Sequence, residues 1–397
     1  MERKTGTISI GIRCPIIREN DNLSDIVVNS VLDACKSIGF SIEDRDIISV
    51  TESVVARAQG NYASVDDIAT DIKNKFPQGH IGIVFPILSR NRFAICLKGI
   101  AKGAEKITLL LSYPADEVGN QLLSYDQLDE EGINPCSDVL SLKQYRQLFG
   151  INPHPFTGVD YVAYYQDIIE SVGTQAEIIF ANNPLAILNY TRDILVCDIH
   201  SRFRTRRLLK ENGAETIYGL DDILTVSIKG SGHNSNYGLL GSNKATEDTV
   251  KLFPDDCEDL ILDIQKRILE KTGKHVEVMV YGDGAFKDPK GKIWELADPV
   301  VSPAFTEGLK GSLNEIKLKY LADNDYKNLS GQRLKEAVSQ AIREKENSLS
   351  AEAASFGTTP RQLTDLIGSL CDLTSGSGDK GTPVVLVKNY FDDYSKQ

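Results

Sequence analysis

Apolar and polar positions follow two periods along this chain, and each switch between them marks an element. "TGTISIGI" reads as a strand. "DNLSDIVVNSVLDACKSIG" carries apolar residues at helical spacing, with a cap-like Asp21 before it and Gly39 as its stop. "RDIISVTESVVARA" is a strand passing into a helix or turn, so residues 5–75 read as an α/β unit. From Gly79 to Leu224 the alternation becomes regular. "HIGIVFPI", "KITLLLSY", "AEIIFA" and "DILVCDI" are strands; "RNRFAICLKGIAKGA", "DYVAYYQDIIESVG" and "SRFRTRRLLKENGA" are helices. Short apolar strands between amphipathic helices predict a parallel, Rossmann-like sheet. No GxGxxG follows any of these strands, so the dinucleotide fingerprint is absent.

From Ser231 the texture turns to Gly, Asn and Ser. A helix ("CEDLILDIQKRILEKTG"), a strand ("HVEVMVY") and two more helices ("SGQRLKEAVSQAIREKENSL", "TPRQLTDLIGSLCDL") follow. The stretch "TSGSGDKGTPVVLVKNYF" then sets a glycine-rich turn directly against a last apolar strand, an unusual arrangement so close to a chain end. The fold class is α/β.

The chain has 397 residues and a net charge of −12. That balance argues against nucleic acid or an anionic membrane as partner, since both select basic surfaces. It leaves room for small anions held in a local basic pocket. Seven scattered cysteines form no CxxC pair, which points to reduced thiols in a cytoplasm. The start of the chain carries no signal-peptide pattern, and no apolar run approaches a membrane span. A cytoplasmic protein is the expectation.

Five stretches can carry chemistry. In "VEVMVYGDGAF" a buried strand runs into Gly-Asp-Gly; Asp283 is either a Mg²⁺ ligand at a strand end or a turn aspartate capping its own backbone. In "GLLGSNKATED", Gly241, Ser242 and Asn243 can present N–H groups to an anion, with Lys244 as a charge and Glu247 or Asp248 as metal ligands. The alternative is a loop in which Thr246 caps a short helix. In "SVTESVVARAQG", Arg57 either holds a phosphate or pairs on the surface, with Glu52 nearby. In "CDIHSRFRTRR", Arg202, Arg204, Arg206 and Arg207 gather where a strand meets a helix, a place that favours anions, or they form a solvated helix face. In the C-terminal loop, Gly376 and Gly378 permit close backbone approach, Asp379 can bind metal or a hydroxyl, and Lys380 can neutralise phosphate. No Ser–His–acid or Cys–His set stands out, and His154, between two prolines, reads as structural.

Taken in order, these segments resemble the coenzyme F-420 gamma-glutamyl ligases. "IRCPIIRENDNLSDIV" is similar to the family's opening turn and acidic helix. "SVTESVVARAQG" is similar to its strand and turn, with Arg57 in place of lysine. "VMVYGDGAF" resembles its strand ending in an aspartate, and "CDLTSGSGDKGTPVVLVKNY" its C-terminal loop and strand. The chain looks most like a longer subgroup linked to gamma-glutamylation outside F-420 synthesis, folate included. The resemblance implies an α+β ligase core in residues 1–78 and 229–397, with an inserted Rossmann-like α/β segment at 79–228. It implies a nucleotide-dependent ligase using GTP or ATP with Mg²⁺ or Mn²⁺, joining a carboxylate acceptor to L-glutamate, and a homodimer. Cys14, Pro15, Ile16, Ile17, Glu52, Arg57, Asn243 and the loop Ser375, Gly376, Ser377, Gly378, Asp379, Lys380, Gly381, Thr382 would contact the nucleotide. Asp283, Arg57 and Lys380 would be catalytic; Asp283, Gly284, Ser377 and Asp379 map to the metal positions. Arg202, Arg204 and Arg206 would bind a substrate carboxylate. Ser377 stands where the family has a glutamine, Gly284 where it has a threonine, and Leu240 near a family aspartate, so Glu52, Glu247, Asp248 and Asp379 are candidate replacement ligands. A non-catalytic nucleotide or metabolite sensor on the same fold is the alternative.

Overall fold

The computed structural model describes residues 5–284, 297–345, 355, 361–375 and 378–396. Its strands in chain order are β1 (Ile8–Ile12), β2 (Ile47–Thr51), β3 (Tyr62–Ser64), β4 (His80–Val84), β5 (Lys106–Leu111), β6 (Leu140–Ser141) and β7 (Gln175–Phe180). There follow β8 (Asp193–Val196), β9 (Thr216–Gly219), β10 (Asn243–Lys244), β11 (Thr249–Lys251), β12 (Glu277–Tyr281), β13 (Ala304–Phe305) and β14 (Val384–Lys388). They form three sheets: β1-β14-β2-β12-β13, β10-β11-β3 and β6-β7-β5-β4-β8-β9. Parallel and antiparallel pairing coexist, as the α/β expectation requires.

The six-stranded sheet is the regular alternation made visible. All its pairings are parallel except β6 with β7. Strands buried on both faces read as continuous apolar runs, and Ile107, Leu109, Leu110 and Leu111 of β5 are all buried. Chain order reverses between β4 and β8, which makes the crevice beyond their carboxyl ends the sheet's switch point. Helix Val65–Lys75 also belongs to this layer: Ile68, Ile72 and Phe76 share a core with Ile81, Ile83 and Leu109. It lies close over helix Phe93–Lys102 because Gly99 has no side chain; a Cβ there would sit 2.7 Å from Ile68 Cβ. Leu239, Leu240, Val250 and Leu252 extend the same core.

Two local expectations change. Asn22, not Asp21, caps helix Leu23–Ile38, accepting from the Asp25 N–H at 3.1 Å, because Asp21 is engaged by the Arg18 N–H at 2.7 Å. Gly39 does end that helix, in the left-handed conformation. "GLLGSNKATED" folds toward the β10–β11 hairpin, where the Thr246 hydroxyl meets that of Thr249 at 2.6 Å instead of capping a helix.

The five-stranded sheet gathers distant segments at one edge. β12 and β2 run parallel with Tyr281 opposite Thr51, so Asp283 and Glu52, the residues just beyond, emerge at one edge. β14 is antiparallel to β2, which brings its leading loop to the same edge; the Thr51 N–H donates to the Pro383 carbonyl at 3.0 Å. β1 is antiparallel to β14, so the turn after β1 arrives there too; the Cys14 N–H donates to the Gly381 carbonyl at 3.1 Å. Register alone thus gathers segments more than 360 residues apart.

Candidate active site

Asp283 follows β12 between two glycines, and packing explains both. A Cβ at Gly282 would collide with the Asp298 carboxylate, and one at Gly284 would lie 2.8 Å from the Ser369 backbone and 3.1 Å from Asp372. These carboxylates close over the turn. Asp298 accepts the Asp283 N–H at 2.8 Å and Asp372 accepts the Gly284 N–H at 2.9 Å. The Gly-Asp-Gly sequence is therefore the footprint of two neighbouring acids as well as a turn.

Arg92 reaches this edge from the parallel layer, at the end of the loop after β4. Its guanidinium donates to Asp298 at 2.7 Å and to Asp283 at 2.5 Å. Burial works against the charged guanidinium, yet Asp298 and Asp283 hold it above its ordinary range. Burial, then the Asp298 charge, raise the Asp283 carboxyl against the opposing pull of Arg92. Glu52 is buried and raised for the same first reason, opposed by Lys251, whose ammonium lies 3.2 Å away and also donates to Ser53 at 2.6 Å. Burial raises Asp372 as well.

The expected residues divide between this edge and its margins. Cys14 and Gly381 are joined by the backbone bond above, and Thr382 donates to the Ser375 carbonyl at 2.5 Å. Pro15 and Ile16 are exposed, whereas Ile17 is buried in the core beside Val27 and Val28. Asn243 is half-buried, and the next residue's N–H donates to the Asn91 carbonyl at 2.6 Å, which sets this strand against the loop that carries Arg92. Arg57, Gly378, Asp379 and Lys380 are exposed. Lys380 lines, with Arg13, an open cleft of about 680 Å³ between β1 and helix Leu23–Ile38. Gly376 and Ser377 lie outside the described residues. Glu247 and Asp248 pair with Lys244 and Lys98 on the hairpin surface.

The arginine cluster has acquired partners. Arg202 pairs with Asp221 at 2.8 Å, and Arg206 pairs with Asp221 and with Asp222 at 3.0 Å; Arg204 is exposed. Leu240 is buried in the apolar core and offers no ligand. His154 is buried, its ring accepting the Phe156 and Thr157 N–H groups, in line with a structural role. Sequence reading missed Arg92, Asp298, Asp372 and Lys251. The only local sign was the glycine on each side of Asp283, which shows that something presses on that turn.

A divalent cation fits this chemistry. Among the described residues, Glu52, Asp283, Asp298 and Asp372 meet the cations Arg92 and Lys251, so four carboxyl groups share two positive charges. No three His, Cys, Asp or Glu side chains among the described residues are grouped as a metal cage. Mg²⁺-type sites in phosphate chemistry need only one or two carboxylates, with water and phosphate oxygens completing the shell. Asp283 and Asp298 could supply that pair.

Fold and site together define an α/β protein whose acidic residues collect at one sheet edge, two of them paired with an arginine from a second layer. The chain belongs to the F420-0:gamma-glutamyl ligase family, whose model matches residues 11–389 and so runs through the parallel layer as well. Its family is one of ligases acting on small molecules, glutamate among them. No curated protein shows a match to the chain. No helix among the described residues is long and apolar enough to cross a membrane.

Proposed function

We propose that this chain is a nucleotide-dependent gamma-glutamyl ligase that activates an acceptor carboxylate as an acyl phosphate and transfers it to the amine of L-glutamate. The observation that carries the reading is the Arg92–Asp283–Asp298 cluster at the edge where the turn after β1 and the loop before β14 also converge. Phosphoryl transfer asks a protein for positioning and charge neutralisation more than for a covalent nucleophile. An acceptor carboxylate oxygen attacks the terminal phosphorus of GTP or ATP, and the nucleoside diphosphate leaves with the bridging oxygen. The glutamate amine then attacks the acyl carbon, inorganic phosphate leaves with the C–O bond's electron pair, and the amine gives up a proton to solvent.

A bound Mg²⁺ or Mn²⁺ supplies neutralisation of phosphate charge. Asp283 and Asp298 would hold it; without the cation, Arg92 bridges the two carboxylates. The Cys14–Ile17 turn and the Ser375–Thr382 loop would bracket the nucleotide, with Arg57 and Lys380 adding positive charge at the margin. Arg204, exposed on its helix, is the member of the arginine cluster available to a substrate carboxylate.

The test is a screen of carboxylate acceptors with L-glutamate, GTP or ATP, and Mg²⁺ or Mn²⁺, read by mass spectrometry. A product heavier by one glutamyl residue, formed with nucleotide cleavage and lost in Asp283→Ala, is the expected result. Full turnover in Asp283→Ala removes the metal role. Metal-dependent nucleotide binding without any product supports the sensor instead.

A further inference from the structure

Arg92 enters the site from a different layer than the acids it contacts, and the form of the contact is unusual for a structural bridge. A guanidinium binds one carboxylate most strongly as a two-pronged fork. Here one nitrogen goes to Asp298 and the other to Asp283, so neither acid receives the full fork. The two halves also differ in solvent access. The Asp298 side chain is 1% exposed, whereas those of Asp283 and Arg92 are 22% and 16% exposed. One end of the bridge is sealed and the other is open to exchange.

A second side chain packs against this edge. Tyr281, the last residue of β12, is 1% exposed. It lies in the electrostatic neighbourhood of Asp372 and Glu52, next to Ser375 at the start of the C-terminal loop.

We propose that Arg92 is a displaceable internal counter-ion. It holds Asp283 and Asp298 together in place of a divalent cation, yields the open Asp283 end when the cation binds, and turns its freed N–H groups to phosphate oxygens. The inference deepens the ligase reading and rests on it for the identity of the phosphate. Competition between guanidinium and cation for the same carboxylates does not depend on catalysis. Arg92 is delivered by the loop at the switch point of the parallel sheet, so the same displacement links that layer to the ligase edge.

The test uses the full chain and Mn²⁺ alone, with free Mn²⁺ followed by electron paramagnetic resonance. Removing a competing cation strengthens the binding of the other. Arg92→Gln is therefore expected to bind Mn²⁺ about tenfold more tightly than the unmodified chain, and to bind GTP or ATP more weakly. A purely structural arginine predicts the opposite for Mn²⁺, since losing the bridge would loosen the carboxylates. Arg92→Lys, which keeps a charge but can satisfy only one acid well, covers the case in which Arg92→Gln does not fold; it too is expected to bind Mn²⁺ more tightly. Unchanged or weaker Mn²⁺ binding in a folded variant overturns the proposal. Tighter Mn²⁺ binding in a chain that makes no glutamyl product would leave the counter-ion standing and sink the ligase reading.

Discussion

Lys251 and Glu52 lie 199 residues apart and meet at 3.2 Å with both side chains about nine-tenths buried. The pair ties the β10-β11-β3 sheet to the first turn of the helix after β2, directly beside the acidic edge. Removing one member leaves the other buried and alone. Lys251→Met is expected to cost about 3 kcal/mol of stability, and the Lys251→Met, Glu52→Gln double variant to recover much of it. Urea denaturation of the four proteins of the cycle checks this; equal losses in the single and double variants would contradict it.

The glycines around Asp283 make a sharper case. Gly284→Ala sets a methyl group against the Ser369 backbone, and Gly282→Ala sets one against Asp298. Each is expected to lower stability by about 1–3 kcal/mol and to abolish most glutamyl transfer, because the turn must move to relieve the clash. Thermal melting and single-turnover assays read the two effects separately.

Arg202 and Arg204 are two residues apart and should behave differently. Arg202→Ala breaks a buried pair with Asp221 and is expected to destabilise the fold. Arg204→Ala, on an exposed side chain, should change stability by less than about 0.5 kcal/mol and should raise the KM for a carboxylate substrate. A KM unchanged in Arg204→Ala removes it from substrate binding.

Asp116 gives a pH signature away from the site. Burial raises its carboxyl to about 6, although it accepts hydrogen bonds from Leu88, Val118 and Asn120. A carboxyl raised above its unfolded value supports the folded state fully at low pH, and that support is lost as pH climbs from about 4 through about 6. The contribution is at most about 3 kcal/mol. Asp116→Asn should therefore be less stable than the unmodified chain near pH 4, and its stability should fall less over that interval. Melting curves at closely spaced pH values test the difference, and parallel pH profiles for the two proteins would refute it.

Elements that depend on neighbours in sequence were legible. The apolar runs of β4, β5, β7 and β8 announced a parallel sheet, and Gly39 marked its helix end. The turn that carries Asp283 was legible because a strand end flanked by glycines is a local pattern. Arg92 was not, because nothing around "RNRFAICL" shows that two aspartates about 200 residues later will converge on it. The same blindness hides the partners of the basic cluster: the sequence offers an anion site or a solvated helix face, and the pairing of Arg202 and Arg206 with Asp221 and Asp222 emerges only in the fold. Local periodicity reports which face is apolar. It carries no information on which charges meet across layers, and charge pairing is what builds this site.

The position of β14 bears on how the molecule is made. It is the last strand in chain order, yet it sits between β1 and β2 and supplies hydrogen bonds to both. During synthesis on the ribosome, every strand of the six-stranded layer has emerged once Gly219 is out, and that layer can begin to pair. The edge that gathers the acids cannot, because β1 has no neighbour until residue 388 appears. Until β14 is made, a nascent chain therefore carries β1 unpaired, a species that invites misassociation and chaperone capture. The parallel layer can form before β14 is made, and the acidic edge only after it.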